Sequence, residues 1–202
     1  MYISVESEGA RPVVVKRGGA AAAPRLRAEG ERLRRASHPG VVEVLRSAPA
    51  EGGWELRMAH GGRPLDAVGE VPLSQAAALV ASLASTVADL HELGVVHGRI
   101  DGTHVLVGDH GRPRLCGFGD GTVAAAPEDD VAALGALLTE LVGGGDDAEP
   151  IPEHRWRLPR RRWAGWERRG LLLLADQACA EPPTRRPTAR RLAAAVANDS
   201  TD

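Results

Sequence analysis

The segment 89–119 constrains the fold of this chain more than any other part of its sequence. It reads DLHELGVVHGRIDGTHVLVGDHGRPRLCGFG. Its first residues complete an amphipathic helix that ends at Gly94, because glycine tolerates the left-handed conformation that closes a helix. Two short apolar runs at 105–107 and 113–116 flank Asp109-His110-Gly111, which predicts a hairpin. A hairpin of this kind, placed after a loop at 95–104, suits catalysis at the mouth of a cleft.

The rest of the chain begins with strands and continues with helices. Residue patterning predicts strands at 2–5, 13–16, 41–45 and 54–58, and a charged helix at 25–37. Further helices are predicted at 74–93, 130–142 and 170–180, and from Thr188 onward. Ser74 and Thr188 are residue types that cap helix N-termini, so we expect them to begin their helices.

Composition and charge narrow the class of protein. The formal net charge is −2, so we expect no general affinity for nucleic acid or for membrane surfaces. No apolar run reaches the roughly 20 residues that a membrane-spanning helix requires, and no signal segment opens the chain. Cys116 and Cys179 lie far apart without metal-binding spacing, which is typical of a reducing compartment. These observations predict a soluble cytoplasmic protein.

One charged stretch leaves two interpretations open. Residues 154–169 combine seven arginines with three tryptophans. One interpretation is an anion- or nucleic-acid-binding surface that uses stacking and phosphate contacts. The other is an amphipathic segment whose tryptophans pack inward while its arginines stay solvated. The slightly negative charge of the chain favours the second, and we expect no nucleic-acid partner.

The loop and hairpin at 95–119 fit the frame of the protein-kinase catalytic and magnesium loops. That frame is an apolar pair, H-R-D, four residues, Asn, a hairpin and D-F-G; here it reads V-V-H-G-R-I-D-G-T-H and then G-F-G, without gaps. The chain therefore resembles a bacterial-type Ser/Thr protein kinase with altered chemical positions. Arg99 stands in place of the catalytic Asp, His104 in place of the metal-binding Asn, and Gly117 in place of the magnesium-binding Asp. Asp101 replaces the usual Lys.

Other motifs extend the resemblance over residues 2–196. Lys16 ends a strand similar to V-A-I-K, which makes it the candidate phosphate-pairing lysine. Glu29 lies nine residues before His38-Pro39, at the place of the helix glutamate that pairs with that lysine. Asp130 begins a D-V-x-x-L-G helix, whose Asp anchors the catalytic loop in the family. We expect the glycine-rich loop that covers ATP phosphates to be missing.

The C-terminal motif P-P-T-R-R-P resembles the P-x-x-R-P of the family and places Arg186 at a buried arginine. In the family that arginine pairs with the glutamate of A-P-E. Ala126-Pro127-Glu128 imitates A-P-E, but Glu128 lies two residues from Asp130. In the family, an activation segment with a substrate-binding platform and the A-P-E motif lies between D-F-G and the Asp helix. Either the platform after A-P-E is deleted here, or the likeness of 126–128 to A-P-E is accidental and most of the activation segment is missing. We favour the second. Arg186 then needs Glu128 or another acid, because a buried unpaired guanidinium costs several kcal/mol.

The resemblance implies an α+β, two-lobed protein-kinase-like fold. A truncated N-terminal lobe at 1–62 would hold a β-sheet and one helix, and a mainly helical lobe would follow at 63–202. The glycine-rich connector 59–64 would join them. The apolar regulatory column of the family would consist of Leu33, Val44, His97 and Phe118, anchored by Asp130.

The altered positions remove what phosphoryl transfer needs, namely metal ions on the phosphates and a carboxylate at the hydroxyl. Arg99 accepts no hydrogen bond, Gly117 offers no ligand to Mg²⁺, and the nitrogen of His104 suits zinc or copper better. Asp101 as a displaced base and a metal site at His97 and His104 are weaker alternatives. We predict a catalytically inactive pseudokinase that binds and regulates a protein partner. We expect it to hold no metal.

Two other functions remain as alternatives. One is a divergent active Ser/Thr protein kinase or small-molecule phosphotransferase. The other is a nucleotide-sensing module, in which ATP binds without magnesium although no resident cofactor is expected. The residues that would contact the nucleotide are Val14, Lys16, Glu29, Met58 and Leu106.

Overall fold

The computed structural model describes residues 1–108, 111–119, 124–143 and 168–198. Within them the chain is α+β, with an antiparallel sheet at its start and helices in its second half. The strands are β1 Tyr2–Glu8, β2 Arg11–Gly19, β3 Val44–Ala50, β4 Gly53–Ala59, β5 Arg63–Pro64, β6 Val105–Val107 and β7 Pro113–Leu115. The helices are α1 Ala23–Arg35, α2 Leu73–Glu92, α3 Pro127–Gly143, α4 Arg168–Ala178 and α5 Ala189–Asn198, with 3₁₀ turns at Leu65–Ala67 and Pro183–Arg185.

The larger sheet has the strand order β1-β2-β4-β3 and is antiparallel throughout. Lys16 on β2 lies opposite Ile3 of β1 and Leu56 of β4, so these three side chains share one face of the sheet. Helix α1 packs on this face. Gly30 of α1 lies so close to the sheet that an added Cβ would stand 3.3 Å from Leu56.

A smaller sheet, β5-β6-β7, joins the two halves of the chain. The turn expected between β6 and β7 is closed by the Gly111 N–H, which donates to the Gly108 carbonyl at 2.9 Å. The segment after α1 joins this sheet as well. The Val42 N–H donates to the Leu115 carbonyl at 3.0 Å, and the Leu115 N–H donates to the Gly40 carbonyl at 2.8 Å. These backbone bonds fix the first part of the chain against the hairpin.

Helix α2 forms the centre of the helical half. Most of its residues are buried, and its many alanines present little bulk to α3 and α5, which pack against it. By length and composition α2 could cross a membrane, but 67% of its apolar window is buried in the fold, as in the core helix of a globular protein. One contiguous hydrophobic cluster includes residues from both 1–62 and 63–202. The division into two domains at that boundary stays a prediction.

Three helix starts test the sequence expectations. Helix α2 begins at Leu73 with Pro72 as its N-cap, so the expected cap Ser74 lies inside the first turn instead. Thr188 does cap α5, because its hydroxyl accepts the Arg191 N–H at 3.2 Å. Helix α3 begins at Pro127, a residue favoured in a first helical turn. The A-P-E-like triplet at 126–128 is therefore the start of α3 rather than a separate segment.

Candidate functional site

Asp130 holds the loop 95–104 in place. Its carboxylate is only 1% exposed, in the first turn of α3. Oδ1 accepts the Gly98 N–H at 2.7 Å, while Oδ2 accepts the His97 N–H and the His91 Nε2–H, both at 2.9 Å. These three donors offset the desolvation of the charge. The structure thus brings Asp130 to the loop that the sequence expects it to anchor.

His97 lies inside this loop as a neutral ring. Its Nε2–H donates to the Cys116 carbonyl at 2.9 Å, and its Nδ1 accepts the Arg99 N–H at 3.3 Å. A carbonyl only accepts and an amide N–H only donates, so these partners select the Nε2–H tautomer. Burial lowers the pKa of His97 and outweighs the bond to the Cys116 carbonyl, which raises it. Both ring nitrogens are engaged, which argues against a metal site at His97 and His104.

The residues of the expected apolar column differ in how the structure places them. The ring centroids of Phe118 and His97 are 4.4 Å apart, and Phe118 and Leu33 of α1 are almost completely buried. Val44, at the start of β3, is partly buried and packs against the hydrophobic cluster to which Leu33 and Phe118 belong. Burying a side chain such as Phe118 contributes about 1.5–3 kcal/mol. The structure thus brings His97 and Phe118 together and places Leu33 and Val44 in or against the same core.

Lys16 and Glu29 form an ion pair between β2 and α1. Lys16 Nζ lies 2.5 Å from Glu29 Oε1, and the two side chains are 13% and 3% exposed, so the pair is not a solvated surface contact. One turn further along α1, Arg32 Nη1 donates to the Phe118 carbonyl at 2.9 Å. A Cβ added at Gly119 would lie 3.0 Å from the Glu29 Cβ. Strand β2, helix α1 and the segment 117–119 are thereby joined at one place.

The Asp101 carboxylate organises the loop around itself. Its Oδ1 accepts from the Thr103 N–H at 3.0 Å, the Thr103 hydroxyl at 2.6 Å, the His104 N–H at 3.1 Å and His104 Nδ1 at 2.7 Å. Partial burial alone would raise the pKa of Asp101, but the bonds from Thr103 and His104 lower it to about 2. A carboxylate this acidic is a weak proton acceptor at neutral pH, which disfavours a displaced base at this position.

The imidazole ring of His104 packs against Gly117, where a larger residue would have its side chain. Gly117 is buried and has φ +79, a left-handed conformation that favours glycine. A Cβ added at this position would overlap the His104 ring. The ring therefore fills the space that a side chain at position 117 would need.

Arg99 is the most exposed of the altered positions. Its side chain is 56% exposed, and its Nε lies 3.4 Å from Asp101 Oδ2. The guanidinium keeps its charge and offers no acceptor. Over the described ranges, no group of three or more His, Cys, Asp or Glu side chains is placed to hold a metal ion.

The expected nucleotide contacts lie on two different sheets. Val14 lies opposite Met58 in the register of β2 with β4, on the face of the sheet that carries Lys16. Met58 is buried and Val14 is partly buried. Leu106 lies on β6, where its side chain packs so close to Gly61 that an added Cβ would stand 2.7 Å from Leu106 Cδ1. The structure brings Val14, Met58 and Lys16 onto one face, with Leu106 next to the connector that follows β4.

Arg186 is buried and paired, but not with the Glu128 carboxylate. Its Nη2 lies 2.6 Å from Glu181 Oε1, and its Nη1 lies 3.6 Å from Asp129 Oδ1. Glu128 contributes only its backbone carbonyl, which accepts from Nη1 at 3.0 Å. Of the two possibilities that the sequence leaves open, Glu128 or another acid, the structure thus shows other acids, Glu181 and Asp129. This supports an accidental likeness to A-P-E.

Three residues around the loop were not expected at the site from the sequence. His91 donates to Asp130, and Arg32 donates to the Phe118 carbonyl. Cys116 bonds to the loop through its backbone at both ends, and burial raises the pKa of its thiol to about 11. Arg32 lies three residues after Glu29, so the two side chains share one face of α1. This spacing is visible in the sequence and could have indicated that Arg32 lies near the site.

No family model and no curated protein matches this chain. The stretch rich in arginine and tryptophan falls, at 154–167, outside the described residues.

Proposed function

We propose that this chain is a catalytically inactive protein-kinase-like domain, a pseudokinase, that acts by binding and regulating a protein partner. The packing framework supports the proposal. The sheet with α1 beside it, the Lys16–Glu29 ion pair, and the loop bonded to Asp130 agree with the contacts that the sequence resemblance implies. So does the contact between the rings of His97 and Phe118. A chain that keeps these internal contacts keeps a defined shape for a partner.

The observation that carries the proposal is the contact of His104 with Gly117. In an active kinase, oxygen ligands from an Asp and an Asn at these two positions hold the magnesium ions. Here the His104 ring occupies the space of the missing side chain, and Arg99 occupies the position of the catalytic carboxylate. Metal binding and proton acceptance are lost while the packing around them is kept. A function that depends on shape rather than on chemistry fits this combination.

The test is a phosphotransfer assay on the whole chain. The chain is incubated with γ-labelled ATP and Mg²⁺ or Mn²⁺, alone and with a generic protein substrate, beside a Lys16→Ala variant purified in the same way as the baseline. We expect the same background label in both proteins. Label above the Lys16→Ala baseline, on the chain or on the substrate, would overturn the proposal and support the divergent active kinase or phosphotransferase.

A second candidate function is nucleotide binding without magnesium. The shielded Lys16–Glu29 pair favours it, because a lysine held in this way is oriented to meet a phosphate, as in the family. Val14 and Met58 add an apolar surface on the same face. A thermal shift measured with millimolar ATP in EDTA tests this function. We expect a rise in melting temperature that Mg²⁺ does not increase and that Lys16→Ala abolishes; no rise in EDTA would exclude it.

A further inference from the structure

A cavity of about 560 Å³, called the rear cavity below, lies between α1 and the small sheet. Its walls come from the end of α1, the segment after it, the start of β3, the end of β4 with its connector, and β7. Its volume is in the range of small-ligand pockets, about 300–1,000 Å³. Its lining includes neither Lys16 nor the altered positions Arg99, His104 and Gly117. The cavity shares Leu33 and Val44 with the expected apolar column but is separate from Lys16 and from the altered positions, so the inference from it does not depend on the proposed function.

The inner wall of the cavity is apolar. It is formed by the aliphatic side chains of Leu33, Val41, Val42, Val44 and Ala59. Leu33, Val41 and Val42 belong to the buried core, so they form a fixed surface. Such a wall offers a binding surface for a short hydrocarbon body.

Two arginines with no partner also line this cavity. Arg34 comes from the last turn of α1 and Arg114 from β7. Neither guanidinium has a hydrogen-bond or ion-pair partner among the residues that the structure describes. A guanidinium presents five donors and matches carboxylate or phosphate oxygens in pairs. Arg34 is exposed and Arg114 is half-buried, so a bound anion would replace water on donors that have no protein partner.

The other polar lining groups do not cancel this charge. His38 is occupied, since its Nδ1 accepts the Gly40 N–H at 3.0 Å and its Nε2–H donates to Asp89 at 3.1 Å. Glu43 is exposed and is the acidic member of the lining. Two guanidiniums against one carboxylate leave the cavity with an excess of positive charge.

We propose that this rear cavity binds a small organic anion with a short apolar body. The anionic head meets Arg34 and Arg114, and the body lies against the wall of valines and Leu33. A carboxylate and a phosphate monoester share this chemistry. The bound ligand contacts Leu33, one helical turn after Glu29, so it touches the helix that carries the Lys16–Glu29 pair.

The experiment titrates phenyl phosphate or benzoate into the ¹⁵N-labelled whole chain and follows amide chemical shifts. Saturable shifts centred on Val41, Val42 and Ala59 with either anion support the proposal, and the tighter anion identifies the head group. We expect Arg34→Gln and Arg114→Gln each to weaken binding about 10-fold, because each removes a charge-assisted hydrogen bond. If one variant fails to fold, the other carries the test.

The matched controls are Arg35→Gln on α1 and Arg112→Gln before β7, which lie beside the two arginines but outside the lining. Both should bind the anions like the unchanged chain. Equal weakening by the controls, no saturable shifts, or shifts centred on Gly119 would each overturn the proposal. Equally tight binding of neutral benzyl alcohol would do so too, because it would show that charge is not recognised.

Discussion

The imidazole of His104 lies against Gly117 in the position that a Cβ would occupy. The two residues thus form one packing unit, and a carboxylate side chain at position 117 would collide with the ring.

Replacing Gly117 with alanine should destabilise the chain by about 2–5 kcal/mol in urea unfolding. About 1–2 kcal/mol comes from the left-handed backbone at φ +79, and about 1–3 kcal/mol comes from the overlap with His104. Gly94→Ala is the matched control, because Gly94 has φ +69 and open space around its Cα. That control should lose only the backbone contribution. Equal losses in the two variants would contradict the packing of His104 on Gly117.

The same pair should show energetic coupling. A double-mutant cycle with Gly117→Ala and His104→Ala should give a coupling free energy of about 1–3 kcal/mol, because removing the ring relieves the overlap. Additive losses would show that the two residues do not compete for the same space.

Asp130→Asn should destabilise the chain by about 2–4 kcal/mol. The amide keeps one acceptor oxygen for three N–H donors, and its NH₂ group faces one of them in a buried site. The measurement is the free energy of unfolding in urea, with Asp176→Asn on the exposed surface of α4 as the control. A loss no larger than that of the control would show that Asp130 does not anchor the loop.

Asp101 should make the chain lose stability in acid. Its folded pKa of about 2 lies below the ordinary 3.8, so its contribution is complete above pH 3.8 and is lost as the pH falls towards 2. Asp101→Asn should therefore lower the urea midpoint at neutral pH, and the difference from the unchanged chain should shrink on acidification through this window. A difference that stays constant down to pH about 2 would contradict the lowered pKa.

His97 should stay neutral where an ordinary histidine is charged. Its folded pKa lies below the ordinary value of 6.5, so the unfolded chain binds a proton first and the contribution of His97 to stability falls as the pH drops below 6.5. Ring ¹⁵N shifts followed through a pH titration should show the Nε2–H tautomer giving way to imidazolium at a pH below 6.5. A midpoint at or above 6.5 would contradict the lowered pKa, and the Nδ1–H tautomer would contradict the bonds to Cys116 and Arg99.

Local patterning predicts the helix, the loop and the hairpin, but the geometry around Asp130, His97 and Phe118 is expected only from the resemblance to the protein-kinase frame. The pairing of Lys16 with Glu29 is likewise what that resemblance implies, because the residue pattern alone also fits two solvated surface charges. The structure places their atoms within 2.5 Å.

The parts that the sequence missed depend on side-chain packing between distant segments. The sequence motif could not predict which acid pairs with Arg186. Glu128 and Asp129 are adjacent, and the orientation of each side chain depends on how the first turn of α3 is placed. The packing of His104 on Gly117 depends on the φ of Gly117 and on the rotamer of His104. The spacing of residues in the sequence determines neither. The rear cavity needs Arg34 and Arg114, which lie 80 residues apart, to meet around one space.

The central claim is that this chain does not catalyse metal-dependent phosphoryl transfer, and ³¹P NMR of Mg²⁺-ATP with an equimolar amount of the chain tests it most directly. We predict that the ATP resonances decay no faster than with the Lys16→Ala variant and that no phosphoprotein signal appears. Inorganic phosphate or a phosphoprotein resonance that forms faster with the unchanged chain than with Lys16→Ala would contradict the claim.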